Sequence, residues 1–293
     1  GISRTNLALN NLTFINGTPA IYNGKVWILG SQEIEGLIRE KYGAIKTNDR
    51  KEVLIYLNDE YKRGTIKSVN PAVQYITFNN CVVNVKTLEK KPHNKKYYST
   101  NYIPHDFVTP NKKEMDSSLF NKFIKDISCD DDRIAVNLLE IIGACLYSGR
   151  ELNRFVLFSG TGSNGKSTYL DLLEHILGDK NYSSLALEDY SDMFKPVRLI
   201  GMLANIGADI AAERFNMKEC ALIKRMVPGD VITVEEKHKA ALSFRPYAMQ
   251  LFACNNTPRF VDDTPGFYRR LITIPFNALF DVDSGNLDLE IGN

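Results

Sequence analysis

An α/β fold on a mostly parallel sheet is what the second half of this sequence predicts, preceded by a smaller domain of mixed and helical character. Three observations carry that expectation. Phe155, Val156, Leu157 and Phe158 form an apolar run that meets a glycine-rich turn and then a helical pattern. Short apolar segments at 154–159, 202–207, 249–254 and 271–275 alternate with helical stretches, which is how crossover connections between parallel strands read. Ahead of them stand a hairpin-like alternation and two amphipathic helices.

Taken from the N-terminus, residues 1–65 are mixed. Short alternating pieces (Ile21-Tyr22 and Lys25 to Leu29) are followed by a helix-like stretch from Gln32 to Lys41. Residues 75–88 read as a strand, a turn at Asn79-Asn80 and a second strand. The next segment is basic and tyrosine-bearing: Lys86, Lys90, Lys91, Lys95 and Lys96 stand against Glu89. Aromatics among lysines can stack on and neutralise single-stranded DNA, and a solvated hairpin arm has the same composition; the pattern leaves both readings open. Residues 116–128 and 131–147 predict two helices. Leu119, Phe120, Phe123, Ile124 and Ile127 make the apolar stripe of the first, and Ile134, Leu138, Leu139, Ile141, Ile142 and Cys145 that of the second. The expected division is 1–65, 66–150, 151–280 and a tail at 281–293, with the main boundary near 150.

The turn after Phe158 reads SGTGSNGKST and satisfies G-x-x-x-x-G-K-[ST] between Gly160 and Ser167. Gly160, Gly162 and Gly165 lack a Cβ, so the backbone can wrap a polyphosphate and turn its N–H groups inward, with Ser163 and Asn164 completing the loop. The helix opening at Lys166-Ser167-Thr168 adds unpaired N-terminal donors and the positive end of its dipole. Lys166 supplies a mobile charge for β- and γ-phosphates, and the Ser167 hydroxyl suits Mg²⁺. These residues predict a nucleoside triphosphate site.

Four features downstream narrow the chemistry. The apolar stretch LIGMLANIGADI ends at Asp209, suited to hold Mg²⁺ through water and to help polarise an attacking water. After a helix that ends at Pro228-Gly229-Asp230, a hairpin carries Lys237, His238 and Lys239 near its tip, where cations could grip a DNA backbone, although Glu235 and Glu236 dilute the field. The strand MQLFAC delivers Asn255 and Asn256, amides that could hold the lytic water or sense the γ-phosphate. Arg269-Arg270 open the last strand, and a planar, permanently charged arginine suits a phosphoryl transition state.

In that order, the series over 150–277 resembles the superfamily 3 helicases of the phage, plasmid and poxvirus primase-helicase type. The resemblance matches Lys166 and Ser167 to motif A, Asp209 to motif B, and Gly229, Asp230, Lys237 and Lys239 to the DNA-contacting hairpin. It also matches Asn255 to motif C and Arg269/Arg270 to the arginine finger. FNNCVVNVKTL, YIPHDF and NLLEIIGACLYSG look like the small domain that precedes the ATPase in these proteins. The resemblance implies an AAA+-like P-loop NTPase that uses ATP and Mg²⁺ in a hexameric ring on single-stranded DNA. It also implies a primase-polymerase module on the same polypeptide and, for a phage or plasmid protein, the bacterial host cytoplasm. Two departures stand out. Ala208 occupies a position where the family often has a second acidic residue, and the chain stops soon after the last core strand.

Composition bounds the rest. At 293 residues, two domains or one large one are expected, and 44% hydrophobic with 24% charged residues is ordinary globular composition. No apolar run reaches the ~18 residues of a membrane span. A net charge of +1 means that any nucleic-acid contact must come from local patches. The five cysteines (Cys81, Cys129, Cys145, Cys220, Cys254) contain no C-x-x-C pair and read as reduced, mostly buried thiols; the four histidines are scattered. The chain begins with Gly1, so a piece of a longer polypeptide is expected. Two other functions compete with a DNA-translocating ATPase. One is an initiator or assembly module that uses ATP as a switch, and the other is a small-molecule kinase, which would not need Asn255 followed by Arg269-Arg270.

Overall fold

The computed structural model describes residues 11–15, 18–30, 34–36, 39–40, 47–64, 66–69, 72–109, 118–149, 152–207, 214–235 and 242–280. The chain divides into two units, residues 1–107 and 108–293. The division falls well before residue 150 because the two helices expected in the smaller domain pack into the second unit.

In the first unit, β1 (Leu12–Ile15), β2 (Thr18–Tyr22), β3 (Trp27–Leu29) and β4 (Ser68–Val69) form a sheet in the order β3-β2-β1-β4. Only the β1–β4 pairing is parallel. Period-two burial places Leu12 and Phe14 on one face, where Ile21, Ile34, Leu54 and Leu57 complete a small core. Leu54 and Leu57 come from α1 (Thr47–Lys62), a helix that the apolar pattern of the sequence does not predict. Its apolar stripe is sparse, with Ile55 and Tyr56 facing solvent, so periodicity announces it weakly. Of the expected helix at Gln32–Lys41, residues 34–36 and 39–40 are helical and the others lie outside the described residues. A second sheet joins β5 (Tyr75–Thr77), β6 (Val82–Asn84) and β7 (Lys90–Lys91), antiparallel throughout. The turn expected at Asn79-Asn80 connects β5 and β6.

In the second unit, α2 (Leu119–Ile127) buries Phe123, Ile124 and Ile127, and α3 (Asp132–Cys145) buries Leu138, Ile141 and Cys145. Ser118 and Asp131 cap them by accepting bonds from Asn121 N and Arg133 N. The central sheet takes the order β16-β8-β14-β10-β9, parallel at every pairing: β8 (Phe155–Ser159), β9 (Tyr182–Ser183), β10 (Ala204–Gly207), β14 (Met249–Cys254) and β16 (Leu271–Pro275). Every residue of β14 is buried, and four of five in β8, which is why these strands read as continuous apolar runs. Between them run α4 (Lys166–Leu177) and α5 (Met217–Met226). Short pairs β11 (Arg214–Phe215) with β15 (Arg259–Phe260) and β12 (Ile232–Val234) with β13 (Leu242–Phe244) stand outside that sheet. The one-turn α6 (Pro265–Tyr268) leads into β16. The Tyr169 hydroxyl donates to Leu138 O at 2.8 Å and pins α4 to α3; with this ring fully buried, the phenol is pushed well above its ordinary pKa.

Candidate nucleotide site

The loop leaves β8 at Gly160, where a Cβ would lie 2.1 Å from Asn164 Nδ2 and 2.6 Å from Phe276 O, so no other residue fits without moving the backbone. Gly162 (φ +112°) and Gly165 (φ +79°) adopt the conformations that glycine allows, and Ser163 joins them at φ +48°. Gly165 caps α4 without offering a side-chain acceptor, and Ser167 and Thr168 are exposed in its first turn. Both belong to the turn whose N–H groups and dipole favour an anion.

Lys166 is 8% exposed, and its ammonium donates to Cys254 O at 2.8 Å, Gly160 O at 3.1 Å and Asn255 Oδ1 at 3.2 Å. The loop lysine and the end of β14 therefore meet at one point. Burial raises the Cys254 thiol above its ordinary pKa, with the nearby Lys166 charge opposing it. Asn255 and Asn256 are exposed just beyond the strand.

Asn164, expected to complete the loop around a phosphate, also braces the loop within the protein. It is 4% exposed; its amide nitrogen donates to Phe276 O at 3.2 Å and its oxygen accepts from Lys166 N at 3.3 Å. Phe276 N in turn donates to Ser159 O at 2.7 Å, and Phe280 N to Ser163 O at 2.8 Å. The segment after β16 thus clasps the phosphate loop from behind. Nothing in the order of the sequence announces this, since Asn164 and Phe276 are joined only by the fold. An Asn164→Ala protein is expected to lose about 1–3 kcal/mol of stability through the orphaned buried partners and to bind nucleotide more weakly as the loop loosens. Urea unfolding and a nucleotide titration measure both effects, and no change in either would remove the brace.

Because the sheet is parallel, β8, β14 and β10 release their C-terminal ends on the same edge as the loop. Gly207 closes β10 there, so tightly that a Cβ would meet Leu185 O at 2.6 Å. Asp209, with Ala208, lies outside the described residues. Arg269 and Arg270 emerge on the opposite edge, because Leu271 pairs with Phe155 at the start of β8. A five-residue strand at about 3.3 Å per residue puts roughly 16 Å between them and the loop of their own chain. The two arginines also differ from each other. Arg270 Nη1 donates to Gly266 O within its own turn, whereas the Arg269 side chain is exposed. That turn is held by Asp262, which accepts from Lys224 Nζ at 2.9 Å and from Thr264 N at 3.1 Å. The Thr264 hydroxyl and then Lys224 hold the Asp262 carboxyl below its ordinary pKa. Thr264-Pro265 is a readable helix start, a cap residue followed by proline; the link to Lys224 on α5 is not readable.

The hairpin is present as β12 and β13, with Ile232 opposite Phe244 and Val234 opposite Leu242. Its base is tied down by Arg225 Nη2 to Val231 O at 2.7 Å, Arg245 Nη1 to Gly229 O at 3.2 Å, and a Thr233–Ser243 hydroxyl pair at 2.9 Å. Lys237, His238 and Lys239 at the tip lie outside the described residues. Among the described residues, no group of His, Cys, Asp or Glu side chains could hold a metal ion and no helix is long and apolar enough to cross a membrane. Cys81, Cys145, Cys220 and Cys254 are buried, and Cys129 is exposed.

Comparison with known proteins agrees with this organisation. Residues 7–129 match the family described as D5 N terminal like, and residues 158–270 match DUF5906, a family of unknown function. A protein of Acanthamoeba polyphaga mimivirus, named as a putative helicase, is 26% identical over 178 residues; this covers 55% of the chain but 17% of that protein. Among solved structures, an A-form apo structure of the NrS-1 C terminal region overlays with a TM-score of 0.56 at 13% identity, covering 98% of this chain and 64% of that one. A second apo structure of the same region, residues 305–718, gives 0.54 at 14% identity over 98% and 65%. The chain spans about one sixth of that curated relative and just under two thirds of those solved chains. With a segment similar to D5 N terminal like domains, a phosphate-loop α/β unit behind it and the motif order described above, the chain resembles the superfamily 3 helicases of the primase-helicase type.

Proposed function

We propose that this chain is the ATP-hydrolysing motor of a replication helicase, acting on single-stranded DNA as part of a hexameric ring and joined to a primase-polymerase module in the longer polypeptide. The observation that supports it most is the convergence of Lys166 Nζ with the carbonyls of Gly160 and Cys254 and the amide of Asn255. A phosphate loop whose lysine shares a point with a second polar strand end can position a γ-phosphate and the water that attacks it.

The residues fit ATP and Mg²⁺. Gly160 has no room for a Cβ, Gly162 and Gly165 take positive φ, and the Ser167 hydroxyl is exposed beside the loop. Mg²⁺ supplies charge neutralisation to the β- and γ-phosphates. Lys166 binds phosphate oxygens, Ser167 and Asp209 hold the metal, and Asn255 orients water. Arg269, on the far edge of its own sheet, serves the site of an adjacent subunit. An ATP-switched initiator module is the second reading, favoured by Ala208 beside Asp209. ATP turnover measured with and without oligo(dT), together with native mass, separates the two. The motor reading requires turnover that rises on DNA in an oligomer, and DNA-indifferent binding without turnover sinks it.

Replacing Lys237 and Lys239 with alanine is expected to weaken single-stranded DNA binding while leaving DNA-independent turnover near its original level. The log–log salt slope of binding should fall by about 0.7 for each phosphate that is no longer neutralised. An unaltered affinity and slope would take the hairpin out of the DNA path.

A further inference from the structure

The basic segment 86–96 is no loose arm. β7 pairs with β6, residues 95–97 form a 3₁₀ turn capped by Asn94, and His93 Nε2 meets Phe78 O at 2.9 Å. Trp27 Nε1 donates to Lys95 O at 2.9 Å and Ala72 N to Tyr97 O at 3.1 Å. These bonds hold the exposed lysines on a fixed surface. Aromatic rings are interleaved with them. Tyr75 and Tyr97 pack with centroids 4.4 Å apart, and Lys91 Nζ lies 5.9 Å from the Tyr75 ring. Lys90 lies 5.0 Å from the Phe107 ring, and Lys25 5.0 Å from that of Tyr102. Pairs of this kind occur about once per 70–80 residues, so three among the described residues of the first unit mark a concentration. Two carboxylates touch the patch. Glu89 pairs with Lys91 at 3.2 Å, and Asp106 accepts from Asn79 at 2.7 Å. Lys86, Lys90 and Lys96 remain exposed around them.

We infer that the β7 edge of the β5-β6-β7 sheet, with Lys90 on one face and Lys91 on the other, and the turn after it form a second binding platform, for an unpaired nucleic-acid strand. Fixed lysines meet the phosphates while half-exposed tyrosines and Phe107 offer faces to bases. A net charge of +1 for the whole chain makes such a local excess stand out, since nothing global supplies attraction to a polyanion. Sequence preference is expected to be weak, because every base has a stacking face.

The test uses the whole chain in a Lys237→Ala/Lys239→Ala background, without nucleotide, so that neither the hairpin nor hydrolysis contributes. Failure here therefore leaves the motor reading standing. Lys86→Gln/Lys90→Gln/Lys96→Gln should weaken oligo(dT) binding at least tenfold and lower the salt slope by about 2, three phosphates at ~0.7 each. Oligonucleotides carrying 5-iodouracil should cross-link to peptides containing Tyr75, Tyr97 or Phe107. Oligo(dT) and oligo(rU) arms distinguish a DNA strand from an RNA strand. Unchanged affinity and slope in the triple variant, cross-links wholly outside residues 75–107, or equal affinity for a blunt duplex would each overturn the platform.

Discussion

Replacing Lys166 with alanine is expected to lower ATP turnover by at least on the order of 10²–10³-fold, the scale seen when a preorganised charge-stabilising donor is removed. The mutation removes the charge that the loop aims at the phosphates and leaves the acceptors at Gly160, Cys254 and Asn255 without this donor. Since Cys254 O and Gly160 O sit beside the loop, about 1–3 kcal/mol of stability should go with it. A unit of this size then melts several degrees lower yet stays folded at working temperature. Turnover measured beside circular dichroism separates the two losses. A folded variant that turns over ATP at the original rate would show that this loop is not the active site.

The second large effect concerns Arg269. Fingers of this kind contribute roughly 10³–10⁵ in rate, so Arg269→Ala should be nearly inactive. Arg270→Ala should act mainly through stability, because its guanidinium is committed to Gly266 O. The placement of both on the sheet edge opposite the loop makes a sharper demand: if Arg269 acts on a nucleotide, that nucleotide is held by another copy. Lys166→Ala and Arg269→Ala proteins, each inactive alone, should regain part of the activity when mixed, since one subunit keeps its finger and the other its loop. If native mass shows mixed oligomers and the mixture stays inactive, the arginine supports only its own turn. Asp262, Thr264 and Lys224 would then have to be weighed as fold elements alone.

Much of the core unit was legible because its signals are local. Three buried parallel strands announce themselves as apolar runs, and the loop is defined by glycines whose requirement is steric and falls within one turn. The helices at Leu119–Ile127 and Asp132–Cys145 followed from apolar spacing, whereas Thr47–Lys62 did not, because few of its positions face a core. The boundary expected near 150 and the division of the structure after residue 107 differ in where they put the first two of these helices. Amphipathic spacing shows that a helix has a face to bury, but it does not name the surface that buries it. The basic segment was ambiguous on the same ground, since composition is identical for an arm in water and a strand in a sheet.

By itself, then, the sequence determined the phosphate loop, the order of the motifs and the strands that carry them. Each depends on residues adjacent in the chain and on backbone rules that hold wherever the segment lies. Only the tertiary structure decided that Asn164 braces the loop against Phe276, that Lys166 meets the end of β14, and that Arg269 and Arg270 open on the far edge of the sheet. Those relations join residues dozens to more than a hundred positions apart. They arise from parallel strand register and close packing, which no local pattern encodes.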